Sequence, residues 1–391
     1  MKTLIPANCF TDEAIFTREQ SVFGQGMWQF AGTTTELHDH NDFVVRHIGG
    51  IPVVVQNFHG KLRAFHNVCS HRFAPIQTDV CGNRKLTCAY HGWTYDQDGV
   101  PLGVPHNEEW YGLDRAKKQC LALRQFQIEP CGKFVFVKIE RGGPTLREFL
   151  GDWFEFFAKI GHSFGTSLFK TEVDAKCNWK LLVENGFDDT HVEFVHPQTI
   201  GLVEFTDFEW KGDARHTADV LLQDDGTSPE GFDVPQLNHA LRHSAAFIDM
   251  SDRQVASFES FYEPLFPQRP FRTRQYLHLN LFPNIIITSL MGYYYILLNF
   301  EPRSVGETVI HFYVLPTQRP EDAPPLPYDF LHHLGLASLG TYTEDIAMQE
   351  KLQSTGPSVE RPGIFGRRED KMKAFEAAYL CAMGMNLVTA A

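Results

Sequence analysis

The 391-residue sequence has no run of about 18 apolar residues, so no segment reads as a transmembrane helix. The longest candidate, NIIITSLMGYYYILLNF (284–300), is interrupted by polar residues and rich in β-branched and aromatic ones, and it reads as strand, turn, strand. No secretory leader opens the chain. MKTLIPANCFTDE carries one lysine with no apolar run behind it, which points to a cytoplasmic protein. Excess positive charge is missing too. There are 35 Lys and Arg against 48 Asp and Glu, a formal net charge of −13. That balance argues against nucleic acid as the main partner and gives no attraction to an anionic membrane. Internal repeats and low-complexity tracts are absent. So is a Gly-rich dinucleotide fingerprint after a strand, and no flavin or nicotinamide is expected on this chain. Eight cysteines in a chain of this length, without a leader, suit metal binding better than a disulfide framework.

What is present suits a folded protein of two or three domains: 43% hydrophobic, 21% charged, with 33 Phe to fill apolar cores or line an apolar pocket. Residues 11–24 read as a helix with Thr11 as its N-cap. Residues 42–67 carry short Val/Ile/Phe runs broken by Gly-Gly and His-Gly, the texture of an antiparallel meander. Strand texture persists to KFVFVKI (133–139), and GGPTLREFLGDWFEFFAKI then turns to helical spacing, so a domain boundary is expected near 140. Beyond it the pattern predicts a helix over 178–191 and a largely β stretch to about 316. A Pro-rich linker (315–327) and helices near 328–353 and 366–383 follow.

The chemistry concentrates in two places. CSHRFAPIQTDVCGNRKLTCAYHGWTYD (69–96) pairs Cys69 with His71 and Cys88 with His91, each pair in a loop between strand-like runs. Two thiolates and two imidazoles suit a tetrahedral zinc site, which would be structural, or a Rieske [2Fe–2S] cluster with two Cys on one iron and two His on the other. One Cys and one His from each loop favours the cluster. Cys81, between the pairs, reads as a bystander. The second place is NWKLLVENGFDDTHVEFVHP (178–197), where Asn178 can cap a helix. His191 and His196 are five apart, about 140° around an α-helix, so they cannot converge from one regular helix. The helix is expected to break or bulge between them and to end at Pro197.

CSHR and CAYHGWTYDQDG resemble the two cluster loops of Rieske non-heme iron oxygenases. Gly92 and Trp93 fit that pattern, while Phe73 departs from it, because a Gly usually follows the Arg. The second cysteine that respiratory Rieske proteins add to each loop is absent. ENGFDDTHVEFVH resembles the mononuclear iron motif of the same family, which implies His191 and His196 as ligands. TYTEDIAMQEKLQ (341–353) resembles the family helix that supplies the third ligand, which maps to Asp345. Glu344, about 100° around the helix, is the weaker candidate. The resemblance further implies that Asp188 bridges a cluster histidine of a neighbouring subunit to an iron histidine, with Asp189 the less favoured acid and Asn185 in a supporting place.

Spanning roughly residues 13–380, the resemblance implies an α+β chain. An all-β Rieske domain covers 36–140. Residues 1–35 and 141–391 form a helix-grip catalytic domain whose curved antiparallel sheet wraps a long helix. The implied activity is that of a terminal oxygenase in a head-to-tail homotrimer. It would take NAD(P)H electrons from a separate reductase, with or without a ferredoxin, through the cluster to Fe(II), and use O2 to hydroxylate an aromatic or apolar substrate. Oxidative demethylation uses the same iron, and a pure Rieske electron carrier would lack it. Tyr293, Tyr294, Tyr295 and Phe300 suggest an aromatic-lined pocket or sheet core.

Overall fold

A computed structural model describes residues 3–188, 190–200, 243–270, 273–323, 326–327, 329–359, 361–366 and 369–385. Asp189 lies outside them. The chain divides into two compact units, Glu19–Phe149 and a second made of Met1–Arg18 with Leu150–Ala391.

The Glu19–Phe149 unit is built on nine strands: β1 (Gln29–Thr33), β2 (Asp42–Ile48), β3 (Ile51–Phe58), β4 (Lys61–His66), β5 (Cys81–Asn83), β6 (Thr94–Tyr95), β7 (Pro101–Gly103), β8 (Gln125–Cys131) and β9 (Phe134–Lys138). Seven pair in the order β1-β9-β8-β4-β3-β2-β5, and β6 and β7 form a ribbon. The expected meander is there, and its turns explain its register. Ile48 pairs with Ile51 across Gly49-Gly50, and Phe58 with Lys61 across His59-Gly60. All four turn residues have φ between 52° and 85°. Two-residue turns with both φ positive match the right-handed twist of the flanking strands. The unit reaches beyond 36–140 at both ends. On the N-terminal side, β1 pairs with β9, from Gln29 opposite Val137 to Thr33 opposite Phe134.

Among the described residues, the other unit carries a six-stranded antiparallel sheet in the order β10-β15-β14-β13-β12-β11. Its strands are β10 (Phe169–Ala175), β11 (His243–Asp249), β12 (Gln275–Leu281), β13 (Ile285–Leu290), β14 (Tyr294–Ser304) and β15 (Glu307–Pro316). The curved sheet packs against the helix Phe330–Thr355, which also meets the helix Trp179–Phe187. Two glycines let these helices lie close to the sheet. A Cβ on Gly335 would come within 2.4 Å of the Phe169 ring, and one on Gly186 within 2.1 Å of Ile286 Cδ1. Strand alternation puts Leu298 and Phe300 on one face of β14 and Tyr295 and Leu297 on the other.

Several local expectations shift. Asp12, rather than Thr11, caps the first helix, accepting from Ala14 N–H at 2.7 Å and Ile15 N–H at 3.1 Å. The helix begun at Trp179 stops at Phe187, so the break falls before His191, not between His191 and His196. Asp188 is the cause. Its backbone is extended, and its Oδ1 accepts from Thr190 N–H at 2.8 Å and Thr190 Oγ1 at 2.6 Å, an Asx turn that competes with the helix.

Candidate metal centres

The two loops of the Glu19–Phe149 unit have the same backbone design. The carbonyl of Cys69 accepts from Phe73 N–H at 2.9 Å, and Cys69 N–H donates to Ala74 O at 2.8 Å. The carbonyl of Cys88 accepts from Gly92 N–H at 3.0 Å, and Cys88 N–H donates to Trp93 O at 2.8 Å. Both loops therefore present a cysteine at the same point of a tight turn. Cys69 and Cys88 are buried in one apolar cluster with Trp93 and Tyr95. Ser70 N–H donates to the Tyr95 hydroxyl oxygen at 3.0 Å, which leaves the phenolic hydrogen for Cys69 Sγ at 3.1 Å. Burial raises the Cys69 thiol, and the Tyr95 bond offsets part of that.

His71 and His91 meet edge-on with ring centroids 4.5 Å apart, and His71 stacks on Trp93 at 5.1 Å. Burial, helped by His91 and Arg72, lowers the His71 pKa and keeps the ring neutral, as a metal ligand must be. Its buried Nδ1 has no hydrogen-bond partner among the described residues. Two buried sulfurs, an orphaned imidazole nitrogen and a second imidazole beside it fit a group that takes two S and two N ligands. Cys81 is exposed on β5, outside this arrangement.

The second constellation joins the segment after Phe187 to the long helix. His191 and His196 bracket the single turn Val192–Val195 as its N-cap and C-cap. Phe194 and Val195 N–H both return to His191 O at 2.9 Å, and Pro197, with no N–H to give, follows. That turn brings the two Nε2 atoms to 3.3 Å. Asp345, buried on the helix Phe330–Thr355, places Oδ1 3.2 Å from His191 Nε2 and 2.9 Å from His196 Nε2. These edges match right-angled neighbours in a ligand shell of radius about 2.1 Å, which lie about 3.0 Å apart. Among the described residues this trio is the one group of three His, Cys, Asp or Glu able to share an ion.

Each imidazole has a carboxylate on its far nitrogen. Asp188 Oδ2 lies 3.3 Å from His191 Nδ1, and Glu344 Oε2 lies 2.8 Å from His196 Nδ1. Asp188 makes its contact across the helix break, from the C-cap of one helix to the N-cap of the next. Burial alone would lower His191, but Asp188 and Asp345 outweigh it and carry it up to about 9. Burial pushes Asp345 up, yet His191, His196 and Asn185 hold it below the usual carboxylate value. Asn185 is fixed in turn by Gln349 Nε2, which donates to its Oδ1 at 2.6 Å.

Asp188, His191, His196 and Asp345 line a cavity whose opposite wall is the sheet. Ile286, Leu298, Phe300 and Ile310 make that wall largely apolar. Of the four aromatics suggested for the pocket only Phe300 is in it. Tyr295 faces away, and Tyr293 is buried with its hydroxyl on Glu263 at 2.9 Å. The lining tyrosines are Tyr276 and Tyr342, the latter 3.2 Å from the Thr288 hydroxyl. Burial, with the charge of Lys371, pushes His278 down to about 3, so this lining imidazole is neutral.

Sequence reasoning missed Gln349, Tyr276, Thr288, Tyr342 and Tyr95. Gln349 carried a signal, one helical turn after Asp345, and Tyr95 sits inside the second loop motif. Tyr276 and Thr288 reach the cavity through strand pairing, which a linear motif does not encode.

One β unit with paired Cys/His loops, and one sheet-and-helix unit with a His-His-Asp centre, define a protein with two different metal sites. The sequence matches the Rieske [2Fe-2S] domain over residues 27–127 and the ring hydroxylating alpha subunit (catalytic domain) over residues 166–384. The chain belongs to the ring-hydroxylating alpha-subunit family, the Rieske non-heme iron oxygenases. It is 28% identical to the anthranilate 1,2-dioxygenase large subunit of Acinetobacter baylyi over 299 residues, 72% of this chain and 62% of that one. Identity to the glycine betaine monooxygenase oxygenase subunit of Pseudomonas aeruginosa is 27% over 212 residues, 52% of this chain and 47% of that one. The chain spans about half the length of the curated relatives it matches. The fold is that of the quaternary ammonium Rieske monooxygenase CntA, solved with L-carnitine. The TM-score is 0.72 at 17% identity, over 98% of this chain and 96% of that one. Among the described residues no helix is long and apolar enough to cross a membrane.

Proposed function

We propose that this chain is a terminal oxygenase that hydroxylates an aromatic or otherwise apolar organic substrate with O2. The observation that carries this reading is the trio His191 Nε2, His196 Nε2 and Asp345 Oδ1, within 3.3 Å of one another at one wall of an apolar cavity. Cys69, Cys88, His71 and His91 would hold the Rieske cluster, and His191, His196 and Asp345 the iron. The cluster supplies electrons one at a time, and the iron supplies the oxygen chemistry.

The protein's own part is positional. Asp345 and the two imidazoles occupy one side of the site and leave the cavity side to substrate and dioxygen. Ile286, Leu298, Phe300 and Ile310 exclude water and favour an apolar substrate body. Tyr276 and Thr288 on the sheet and Tyr342 on the long helix offer hydroxyls at one spot of the cavity, where a polar substituent can be oriented. Electrons would come from a separate reductase, with or without a ferredoxin. In a head-to-tail trimer, Asp188 of one subunit would meet a cluster histidine of the next. Its carboxylate, 3.3 Å from His191 Nδ1, would give that route a charged end at the iron site.

The test is a panel of aromatic and N-methyl substrates assayed with a Rieske reductase, NADH and labelled O2. Labelled hydroxyl in the product supports the reading, and formaldehyde release marks demethylation by the same site. Reductase-dependent cluster reduction without oxygen incorporation into any substrate, with iron present, would leave an electron carrier instead.

A further inference from the structure

We infer that Glu344 is a positioning residue of the mononuclear site: with Thr199 it pins His196 from the side opposite the metal. The inference rests on His191, His196 and Asp345 being the iron ligands. Glu344 and Asp345 are consecutive on the helix Phe330–Thr355, yet they meet opposite nitrogens of one ring. Asp345 Oδ1 faces His196 Nε2 at 2.9 Å, and Glu344 Oε2 faces His196 Nδ1 at 2.8 Å. The same Oε2 accepts from Thr199 Oγ1 at 2.7 Å, three residues beyond the histidine.

That geometry excludes Glu344 as a ligand to an ion shared with Asp345, because the imidazole ring stands between them. It gives Glu344 a different task. An ionised carboxylate accepts only, so Nδ1 must carry the hydrogen and Nε2 must present its lone pair. The ring is 2% exposed and fixed from both edges, so it has one orientation to offer. Asp188 on His191 Nδ1 is the matching contact at the other ligand, 3.3 Å long against 2.8 Å. Glu344 makes the shorter contact, and each carboxylate is held by one hydroxyl, Glu344 by Thr199 and Asp188 by Thr190. Carboxylates behind ligating histidines are worth about 10–100-fold in metal affinity or activity.

The experiment is Fe(II) affinity by chelator competition on the full chain with its cluster intact, for Glu344→Ala, Glu344→Gln, Thr199→Val and His196→Ala. Glu344→Ala is expected to weaken iron binding about 10–100-fold. Glu344→Gln keeps an acceptor without the charge and should lose less, and Thr199→Val less again. Loading with Co(II) adds a readout that general destabilisation does not move. The paramagnetically shifted, exchangeable Nδ1–H signal of one histidine should exchange faster in Glu344→Ala, while that of the other is unchanged. If Glu344→Ala fails to fold, Glu344→Gln carries both readouts. Wild-type affinity and an unmoved Nδ1–H signal in the glutamate variants, with iron lost in His196→Ala, would overturn the inference. Iron retained by His196→Ala would overturn the ligand assignment beneath it.

Discussion

Phe73 stands in the first cluster loop where Gly92 stands in the second. Each donates its N–H to the carbonyl of the cysteine four residues earlier, and their φ values are +63° and +70°. Gly92 adopts that conformation freely, whereas Phe73 holds it against its own Cβ, at a cost of about 1–2 kcal/mol. The Phe73 side chain is 79% exposed and recovers little of that by burial. Phe73→Gly should therefore raise stability by about 0.5–1 kcal/mol after the added freedom of the unfolded chain is subtracted. Thermal unfolding of the cluster-loaded protein measures it. A lower melting temperature would mean that Phe73 is held by contacts that compensate the strain.

Tyr95 donates to Cys69 Sγ, and hydrogen bonds to ligating sulfur favour the reduced, more negative cluster. Tyr95→Phe should lower the cluster midpoint potential by on the order of 60 mV, one tenfold change for a one-electron couple. Direct voltammetry measures this, and an unchanged or higher potential contradicts it.

Asp188→Asn keeps the size of the side chain and removes its charge. Both metal sites and the oligomer should survive, while oxidation of the reduced cluster in a single turnover slows by about 10–100-fold or more. A variant that reoxidises its cluster at the wild-type rate would remove Asp188 from the electron route.

Glu376 gives a pH dependence away from the metals. Its carboxylate accepts from Leu4 and Ile5 N–H, but burial dominates and pushes it up to about 7. A carboxyl raised on folding keeps its proton in the native state while the unfolded chain ionises. Stability then falls as pH rises from the unfolded value, 4.5, to about 7, and is level above it. Glu376→Gln should flatten that fall and be the more stable protein at pH 8, by about 1–3 kcal/mol. Denaturant unfolding at pH 5 and pH 8 decides the matter. Equal slopes in both proteins would show that the carboxyl is solvated.

The sequence exposes what chemistry forces into short segments. Cysteine and histidine spacing at 69–91, the His191/His196 pair before Pro197, and the glycine turns of the meander are all legible, because each depends on a few neighbouring residues. What depends on the chain folding back is not. A helical wheel set Glu344 about 100° from Asp345 and made it a weak ligand candidate. It could not show that the His191–His196 segment returns between them and uses both. The helix break moved to Asp188 because an Asx turn competes with a helix in a way that periodicity does not register. Of the two readings open for Tyr293, Tyr294 and Tyr295, the structure takes sheet core, and the cavity's Tyr276 comes from a different strand altogether.

The two metal sites should make two separate iron centres in one chain. Iron and acid-labile sulfide analysis of His196→Ala, with its visible spectrum, tests this most directly. The wild type should hold about three irons and two sulfides per chain. His196→Ala should lose only the mononuclear iron, keep the red-brown spectrum at full intensity, and cease all oxygenation. A folded variant that loses cluster and iron together, or that keeps all its iron and its activity, would contradict the claim.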